Sequence, residues 1–257
     1  MNVDTTLAVS DYVATVEIHR PPNNYFDFDL IRAIADIYAR LDDAADCRAI
    51  VLCAEGKHFC AGADFQSRES WGQAQLDEQA RQVYLEAVRV FSGRKPVVAA
   101  VHGAAIGGGL GLALSADFRI TCAEARFSAN FARLGFHPGF GLSVTLPRLV
   151  GQAKANLLLL TGRRISGTDA VAMGLADELV GCSEVRTRAV ALAREIAQSA
   201  PLAVQSIRAT QRAGLADEIA RITEHELAEQ SRLRSSEDFR EGIAAMAERR
   251  TPNFKGR

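Results

Sequence analysis

Two short apolar runs, each followed by a loop in which side chains almost disappear, constrain the fold of this chain most strongly. Residues 49–53 read AIVLC and residues 97–101 read VVAAV, which is typical of buried strands. A helical pattern lies between them, with apolar residues at Leu76, Val83, Ala87 and Val90. Because parallel strands are joined by helical crossovers, this order predicts parallel pairing in an α/β fold.

The flanking segments predict further elements of both kinds. Residues 13–18 alternate as a half-buried strand does, and Asp29 is expected to cap the helix that follows. The buried face of that helix would carry Leu30, Ile34, Ile37 and Leu41. Asp117 lies between a helical stretch and a strand, and we interpret it as a structural residue.

After Gly162 the strand pattern fades, and residues 183–250 predict a run of helices. Pro201 suits the first turn of one helix, and Ser235 with Asp238 resembles a capping box at the start of another. No linker rich in proline, glycine or serine separates the halves. We therefore predict one structural domain, with a core over residues 1–182 and a helical C-terminal part over residues 183–257.

The charge balance excludes a protein that attracts polyanions at long range. The chain has 30 Lys and Arg against 31 Asp and Glu, a net charge of -1, so no nucleic-acid partner is expected. No window approaches the ~18 apolar residues of a membrane span, and residues 1–22 lack the pattern of a signal peptide. These features predict a cytoplasmic protein that does not bind membranes.

The cysteines and histidines indicate neither a disulfide framework nor a metal site. The five cysteines are an odd number without a CxxC pair, which predicts free thiols in a reducing compartment. The five histidines are scattered, and no HExxH motif is present. We therefore expect no metal ion.

The two small-residue loops carry the chemistry that the sequence suggests. They read CAGAD at residues 60–64 and GGG at residues 107–109. Tight turns or close packing would explain them, and so would backbone N–H groups exposed to a ligand oxygen at a helix start. Two N–H groups that converge on one oxygen form an oxyanion hole.

Other glycine-rich motifs do not fit. No GxGxxG follows a strand, no GK[ST] follows the glycines, and no GxSxG is present. A dinucleotide site, a phosphate-binding loop and a serine-hydrolase elbow are therefore not supported.

The sequence resembles the enoyl-CoA hydratase/isomerase (crotonase) superfamily over nearly its whole length. The resemblance rests on HFCAGADF at residues 58–65, KPVVAAVHGAAIGGGLGLALSADFRI at 95–120 and ARFSANFARLGFHPGFG at 125–141. Further matching segments are LTGRRISGTDAVAMGLADELV at 160–180 and EGIAAMAERRTPNFKGR at 241–257. It implies a spiral of β-β-α repeats with a helical C-terminal part used for trimerisation, often in a dimer of trimers.

The resemblance also implies a site for an acyl-CoA thioester, with coenzyme A as part of the substrate and no separate cofactor. The N–H groups of Ala63 and Gly108 would bind the thioester oxygen. Residues expected to border the substrate are Ala61, Gly62, Asp64, Phe65, Gln66, Tyr84, Gly107, Gly111, Phe131, Met246 and Arg249. An acyl pocket made of Phe26, Trp71, Tyr84 and Phe131 would be apolar and bulky.

One departure from the family pattern changes the expected chemistry. Hydratases of this family use two glutamates, and the matching positions hold Gly111 and Phe131, which cannot transfer a proton. Ordinary hydratase activity is therefore not expected. A lyase or isomerase that works through a thioester enolate, by decarboxylation or C–C cleavage, is favoured, and the alternative is a non-catalytic acyl-CoA-binding paralogue.

Two side chains are candidates for acid/base catalysis in place of the glutamates. His137 lies in a loop that is near the pocket in relatives, and a histidine titrates near neutral pH. The competing interpretation is that His137 only shapes the turn at Pro138 and Gly139. Tyr84 is a weaker candidate for a proton donor.

Overall fold

The computed structural model describes residues 4–65 and 71–257. The strands are β1 (Thr5–Ser10), β2 (Val13–Ile18), β3 (Ala49–Ala54), β4 (Val97–Val101), β5 (Ala104–Ile106), β6 (Phe118–Thr121), β7 (Arg126–Ser128), β8 (Arg164–Ser166) and β9 (Glu178–Leu179). The helices are α1 (Phe28–Asp42), α2 (Gln73–Ser92), α3 (Gly108–Ser115), α4 (Leu142–Val150), α5 (Gln152–Thr161), α6 (Gly167–Met173), α7 (Val185–Ala197), α8 (Pro201–Gln211), α9 (Leu215–Arg234) and α10 (Glu237–Ala247). Short 3₁₀ turns span Asn130–Leu134 and Cys182–Glu184.

The strands form two sheets. The larger sheet has the order β1-β2-β3-β4-β6-β9, in which β1 and β2 are antiparallel and every other neighbouring pair is parallel. The smaller sheet has the order β5-β7-β8. The prediction of parallel strands joined by helices is confirmed, and the buried runs β3 and β4 lie side by side in the larger sheet.

Two predicted helix starts are each displaced by a residue or two. The side chain that caps α1 is Asp27, whose Oδ1 accepts the N–H of Leu30 at 3.0 Å, while Asp29 lies in the first turn. Similarly, α10 is capped by Ser236, not by Ser235. In each case a neighbour of the same chemical type stands three residues before the N–H that it binds. Pro201 does begin α8, as predicted.

The expectation that strands end near Gly162 is wrong for β8 and β9. These strands have only three and two residues, too few to show an alternating pattern. The run of helices predicted from residue 183 onward is confirmed by α7 to α10. None of the described helices is long and apolar enough to cross a membrane.

The prediction that all cysteines are free is wrong for Cys122 and Cys182, which form a disulfide with a Cα–Cα distance of 5.0 Å. Cys122 directly follows β6, and Cys182 lies shortly after β9. Because β6 pairs with β9, residues that are 60 positions apart in sequence meet at one end of the sheet. The remaining three, Cys47, Cys53 and Cys60, are free and buried, as expected.

Asp117 anchors the helical C-terminal part to the larger sheet. Its Oδ2 accepts the N–H of Val97 at 2.8 Å and the Nε–H of Arg208 at 2.8 Å, and its Oδ1 accepts from Arg212 at 3.1 Å. The three side chains of this ionic cluster are between 11% and 16% exposed. The arrangement agrees with the structural role expected for Asp117.

Replacing Asp117 by alanine should destabilise the protein strongly, because it leaves two nearly buried guanidinium groups without their carboxylate. The expected loss is about 3–5 kcal/mol in the free energy of unfolding. Asp217→Ala, at an exposed position on α9, is the control and should change that free energy by less than about 0.5 kcal/mol. Denaturant unfolding of both variants measures the difference, and equal losses would contradict the anchoring role.

Candidate active site

The two small-residue loops are held together by a one-residue parallel bridge between Cys60 and Ala105. The N–H of Cys60 donates to Ala104 at 2.9 Å, and the N–H of Ile106 donates to Cys60 at 3.0 Å. On the other side of the first loop, the N–H of Phe26 donates to the Gly62 carbonyl at 3.0 Å. These bonds bring Ala63 and the start of α3 into the wall of the same cavity.

The N–H groups of Ala63 and Gly108 remain available in this arrangement. Gly108 is the first residue of α3, so its N–H has no partner within the helix. Among residues 4–65 and 71–257, no backbone carbonyl accepts a hydrogen bond from either group. Both N–H groups can therefore donate to a ligand, and the positive end of the α3 dipole favours a ligand oxygen that carries negative charge.

The glycines of the second loop are required by both packing and backbone conformation. Gly107 has φ 55° and ψ −123°, which a residue with a side chain rarely adopts. A Cβ on Gly108 would lie 2.3 Å from the Phe26 ring, and one on Gly109 would lie 2.2 Å from the Cys60 carbonyl oxygen. Close packing thus explains why glycine is required at positions 108 and 109. At Gly108 the backbone itself lines the cavity, so its N–H lies on the cavity wall.

The cavity has a volume of about 340 Å³, and several aromatic side chains contribute to its wall. Its lining includes most of the residues expected from the sequence, namely Phe26, Ala61, Gly62, Ala63, Asp64, Phe65, Tyr84, Gly107, Gly108, Phe131, Met246 and Arg249. Trp71 instead lines a neighbouring depression beside Arg20. Gln66, also expected at the site, lies outside the described residues.

Gly111 is not among the residues that line this cavity, and its expected contact with substrate stays a prediction. It is buried in α3, where an added Cβ would lie 2.7 Å from the Cβ of Phe140. A carboxylate at this position would therefore require Phe140 to move. Phe131, at the position of the second family glutamate, does line the cavity.

His137 is not among the residues that line the cavity, although Gly139 of the same loop is, and its catalytic role stays a prediction. Its Nδ1 lies 2.9 Å from the Pro138 carbonyl oxygen, and its ring packs edge to face against His225 with centroids 5.7 Å apart. These contacts agree with the alternative in which His137 shapes the turn.

Tyr84 lies in the wall and is fixed by a short network. Its hydroxyl donates to Oε1 of Gln230 at 2.8 Å, and the Gln230 amide donates to the carbonyls of His137 and Pro138 at 3.0 and 3.2 Å. Burial, and to a smaller degree the charge of Glu226, raises the pKa of the Tyr84 phenol. A phenol is already neutral near pH 7, and the raised pKa makes Tyr84 a weaker acid, so it keeps its hydroxyl proton and cannot act as a base.

Sequence reasoning missed a polar row on α9 that faces the cavity and its supporting loop. The side chains of Glu226, Gln230 and Arg234 are spaced four residues apart, so they share one helix face. Both carboxylate oxygens of Glu226 accept backbone N–H groups, from Gly141 at 2.9 Å and Ser143 at 3.1 Å, although its burial raises the pKa. The sequence signal that could have revealed this row is the four-residue spacing of its polar side chains within a helical pattern.

Comparison with known proteins decides which family this architecture represents. The sequence profile of the family described as Enoyl-CoA hydratase/isomerase matches residues 9–257. A probable enoyl-CoA hydratase from Bacillus subtilis is 34% identical over 257 residues, which cover 98% of each chain. The chain belongs to the enoyl-CoA hydratase/isomerase family.

Two further members of the enoyl-CoA hydratase/isomerase family resemble this chain over nearly its whole length. An (E)-benzylidenesuccinyl-CoA hydratase from Thauera aromatica is also 34% identical, over 98% of both chains. The crystal structure of an enoyl-CoA hydratase/isomerase from Pseudoalteromonas atlantica superposes with a TM-score of 0.87 at 28% identity, covering 98% of this chain and 100% of that one. The expected crotonase fold is thereby confirmed.

A pair of substitutions at Gly108 tests whether its N–H binds the thioester oxygen in this family member. Proline and alanine both add a Cβ, but only proline removes the N–H, and the first turn of a helix tolerates it. Both are made in a Phe26→Ala background, because that ring would meet either Cβ. Gly108→Pro should bind an acyl-CoA about tenfold more weakly than Gly108→Ala, measured by calorimetry.

Free coenzyme A, which lacks the thioester carbonyl, is the control ligand for this pair and should bind both variants equally. Equal acyl-CoA affinity of the two folded variants would contradict the assignment of the Gly108 N–H to the oxyanion hole.

Proposed function

We propose that this protein binds an acyl-CoA thioester and stabilises its enolate through the N–H groups of Ala63 and Gly108. The observation that carries the proposal is the presence of these two backbone donors, without protein acceptors in the described chain, in the wall of one cavity. A carbonyl oxygen becomes more negative when the enolate forms, so fixed donors favour the enolate over the ground state. The family membership supports a CoA thioester as the ligand.

The wall does not support the reaction of an ordinary hydratase. Water addition to an enoyl thioester requires one group to activate water and another to deliver a proton to the α-carbon. Asp64 is the only carboxylate among the described lining residues, and it also borders the depression beside Arg20 and Trp71. The pair of carboxylates used by hydratases has no counterpart in the described wall.

Cleavage of a C–C bond at the α-carbon forms the enolate without a carboxylate base. In decarboxylation of a malonyl-type thioester, the bond from the α-carbon to the carboxylate breaks, CO₂ leaves and the electron pair enters the enolate. Protonation of the α-carbon then completes the reaction and yields the shorter acyl-CoA. Tyr25 and Tyr84 are phenols in the wall, and either hydroxyl is a candidate source of this proton.

The C-terminal segment supplies the proposed contacts with the nucleotide part of coenzyme A. Residues 232–257 contain seven Lys and Arg against four Asp and Glu. Arg249 lines the cavity and, among the described residues, has no carboxylate within salt-bridge distance, whereas Arg250 pairs with Glu241 and Glu248. Arg249 is therefore the proposed partner for a phosphate oxygen.

We also propose that the protein assembles as a homotrimer or a dimer of trimers through its helical C-terminal part. No residue of α8 is buried, and its Leu202 and Ile207 side chains are 81% and 63% exposed. Two apolar side chains that are this exposed on one helix support an interface between subunits. Light scattering coupled to size-exclusion chromatography gives the mass that tests this assembly.

Crotonyl-CoA hydration should be slower than in a relative that has both glutamates, by about 10²–10⁴ for each missing group. Phe131→Glu should then increase the exchange of α-protons of butyryl-CoA with D₂O, because position 131 lies in the wall beside Gly107. Phe131→Gln has a similar shape without the charge and should leave the exchange at the wild-type rate. Absorbance assays and NMR measure the two rates.

An ordinary hydratase turnover number in the wild-type protein would contradict this proposal. Incubation with malonyl-, 3-oxoacyl- and enoyl-CoA thioesters, followed by mass spectrometry, identifies the bond that is cleaved. Binding of these thioesters without any conversion would instead favour the non-catalytic paralogue.

A further inference from the structure

Arg234 places a positive charge in the cavity wall, and the proposed enolate chemistry assigns no role to this charge. The residue is the last one of α9 and lines the cavity, yet its side chain is only 8% exposed. In the described part of the chain, its guanidinium has one hydrogen-bond partner, Asp77, which is bound through Nη1. An arginine has five N–H donors, so those on Nε and Nη2 are left without a partner in that part of the chain.

Asp77 only partly compensates this cation. The same carboxylate also accepts hydrogen bonds from the Ser231 hydroxyl at 2.7 Å and from the Gln73 amide at 3.0 Å, and its side chain is 28% exposed. Its charge is therefore shared with two further donors and with solvent. The donors on Nε and Nη2 are not fully buried, so an acceptor in the cavity can reach them, and a carboxylate is the acceptor that the planar guanidinium fits best.

The position of Arg234 separates it from the thioester end of the cavity. The Phe131 ring lies 3.7 Å from the position of a Cβ on Gly107, and it stacks on Phe136 with centroids 6.5 Å apart. The Arg234 guanidinium carbon lies over the Phe136 ring, 5.2 Å from its centroid. Phe131 and Phe136 thus form a continuous series of contacts along the wall from Gly107 to Arg234, and an acyl group that follows these rings from the oxyanion donors would meet Arg234 with its far end.

We propose that Arg234 binds a carboxylate at the far end of the acyl group, which makes dicarboxylic acyl-CoA thioesters the substrate class of this site. The inference rests on the proposed function, because it assumes that the thioester lies at Ala63 and Gly108. Phe131 and Phe136 then contact the methylene chain between the two polar ends. The carboxylate held by Arg234 is distinct from any group that leaves the α-carbon.

Calorimetry with matched thioesters tests the proposal in the full-length protein. Adipyl-CoA, 6-hydroxyhexanoyl-CoA and hexanoyl-CoA have six-carbon chains and differ at the far end, and succinyl-CoA with butyryl-CoA provides a shorter pair. The carboxylate ligand of at least one pair should bind about tenfold to a hundredfold more tightly than its methyl partner. Arg234→Met should abolish this preference without changing the affinity for the methyl-terminated ligands.

Two further variants keep the result interpretable. Arg232→Gln, at an exposed position of the same helix where the arginine pairs with Glu229, should leave the preference unchanged. If Arg234→Met leaves Asp77 uncompensated and unfolds the protein, the double variant Asp77→Asn with Arg234→Met removes both charges and should bind like the methionine variant. Melting temperatures confirm that the compared proteins are folded.

Three outcomes would overturn the assignment. Equal binding of the carboxylate and methyl ligands at every length, or of the carboxylate and hydroxyl ligands, would exclude carboxylate recognition while leaving the proposed function intact. A weaker affinity of Arg234→Met for free coenzyme A would place Arg234 beside the coenzyme A part of the ligand. Failure of every thioester to bind the wild-type protein would instead refute the proposed function itself.

Discussion

The bridge between Cys60 and Ala105 is the interaction on which the rest of the site depends. It is a single pair of residues, but it links the loop after β3 to the small sheet that leads into α3. Through it, two amide groups from segments more than forty residues apart enter one cavity wall. The larger sheet sets where each loop starts, and the bridge sets where the two loops meet.

The remainder of the wall comes from the helical C-terminal part. Gln230 and Arg234 on α9 reach Tyr84 and Asp77 on α2, so the acyl side of the cavity exists only when these two helices are packed together. Asp117 ties α8 to the larger sheet through its ion pairs with Arg208 and Arg212, which also holds the C-terminal helices in place. The proposed substrate site therefore depends on the docking of the C-terminal helices.

Local patterns in the sequence were sufficient to predict the parallel strands, the helical C-terminal part and the two loops that supply Ala63 and Gly108. The errors arose where distant segments meet or where neighbouring residues are chemically alike. Asp27 and Asp29 both suit a helix start, and only the geometry of the first turn distinguishes them. The Cys122–Cys182 disulfide depends on the pairing of β6 with β9, a strand too short to recognise from its sequence. For His137, the position of its loop did not reveal that its ring packs against His225, a residue of a distant helix.

The donors of the proposed oxyanion hole belong to the main chain, and this has a consequence for how such a protein can evolve. Most substitutions at position 63 retain the N–H, and at position 108 packing against Phe26 selects against any side chain at all. The thioester-binding element is thus insulated from the mutations that exchange acids, bases and wall residues around it. A chain with Gly111 and Phe131 at the positions of the family glutamates can therefore keep the same two proposed donors, which allows a different reaction to be acquired around them.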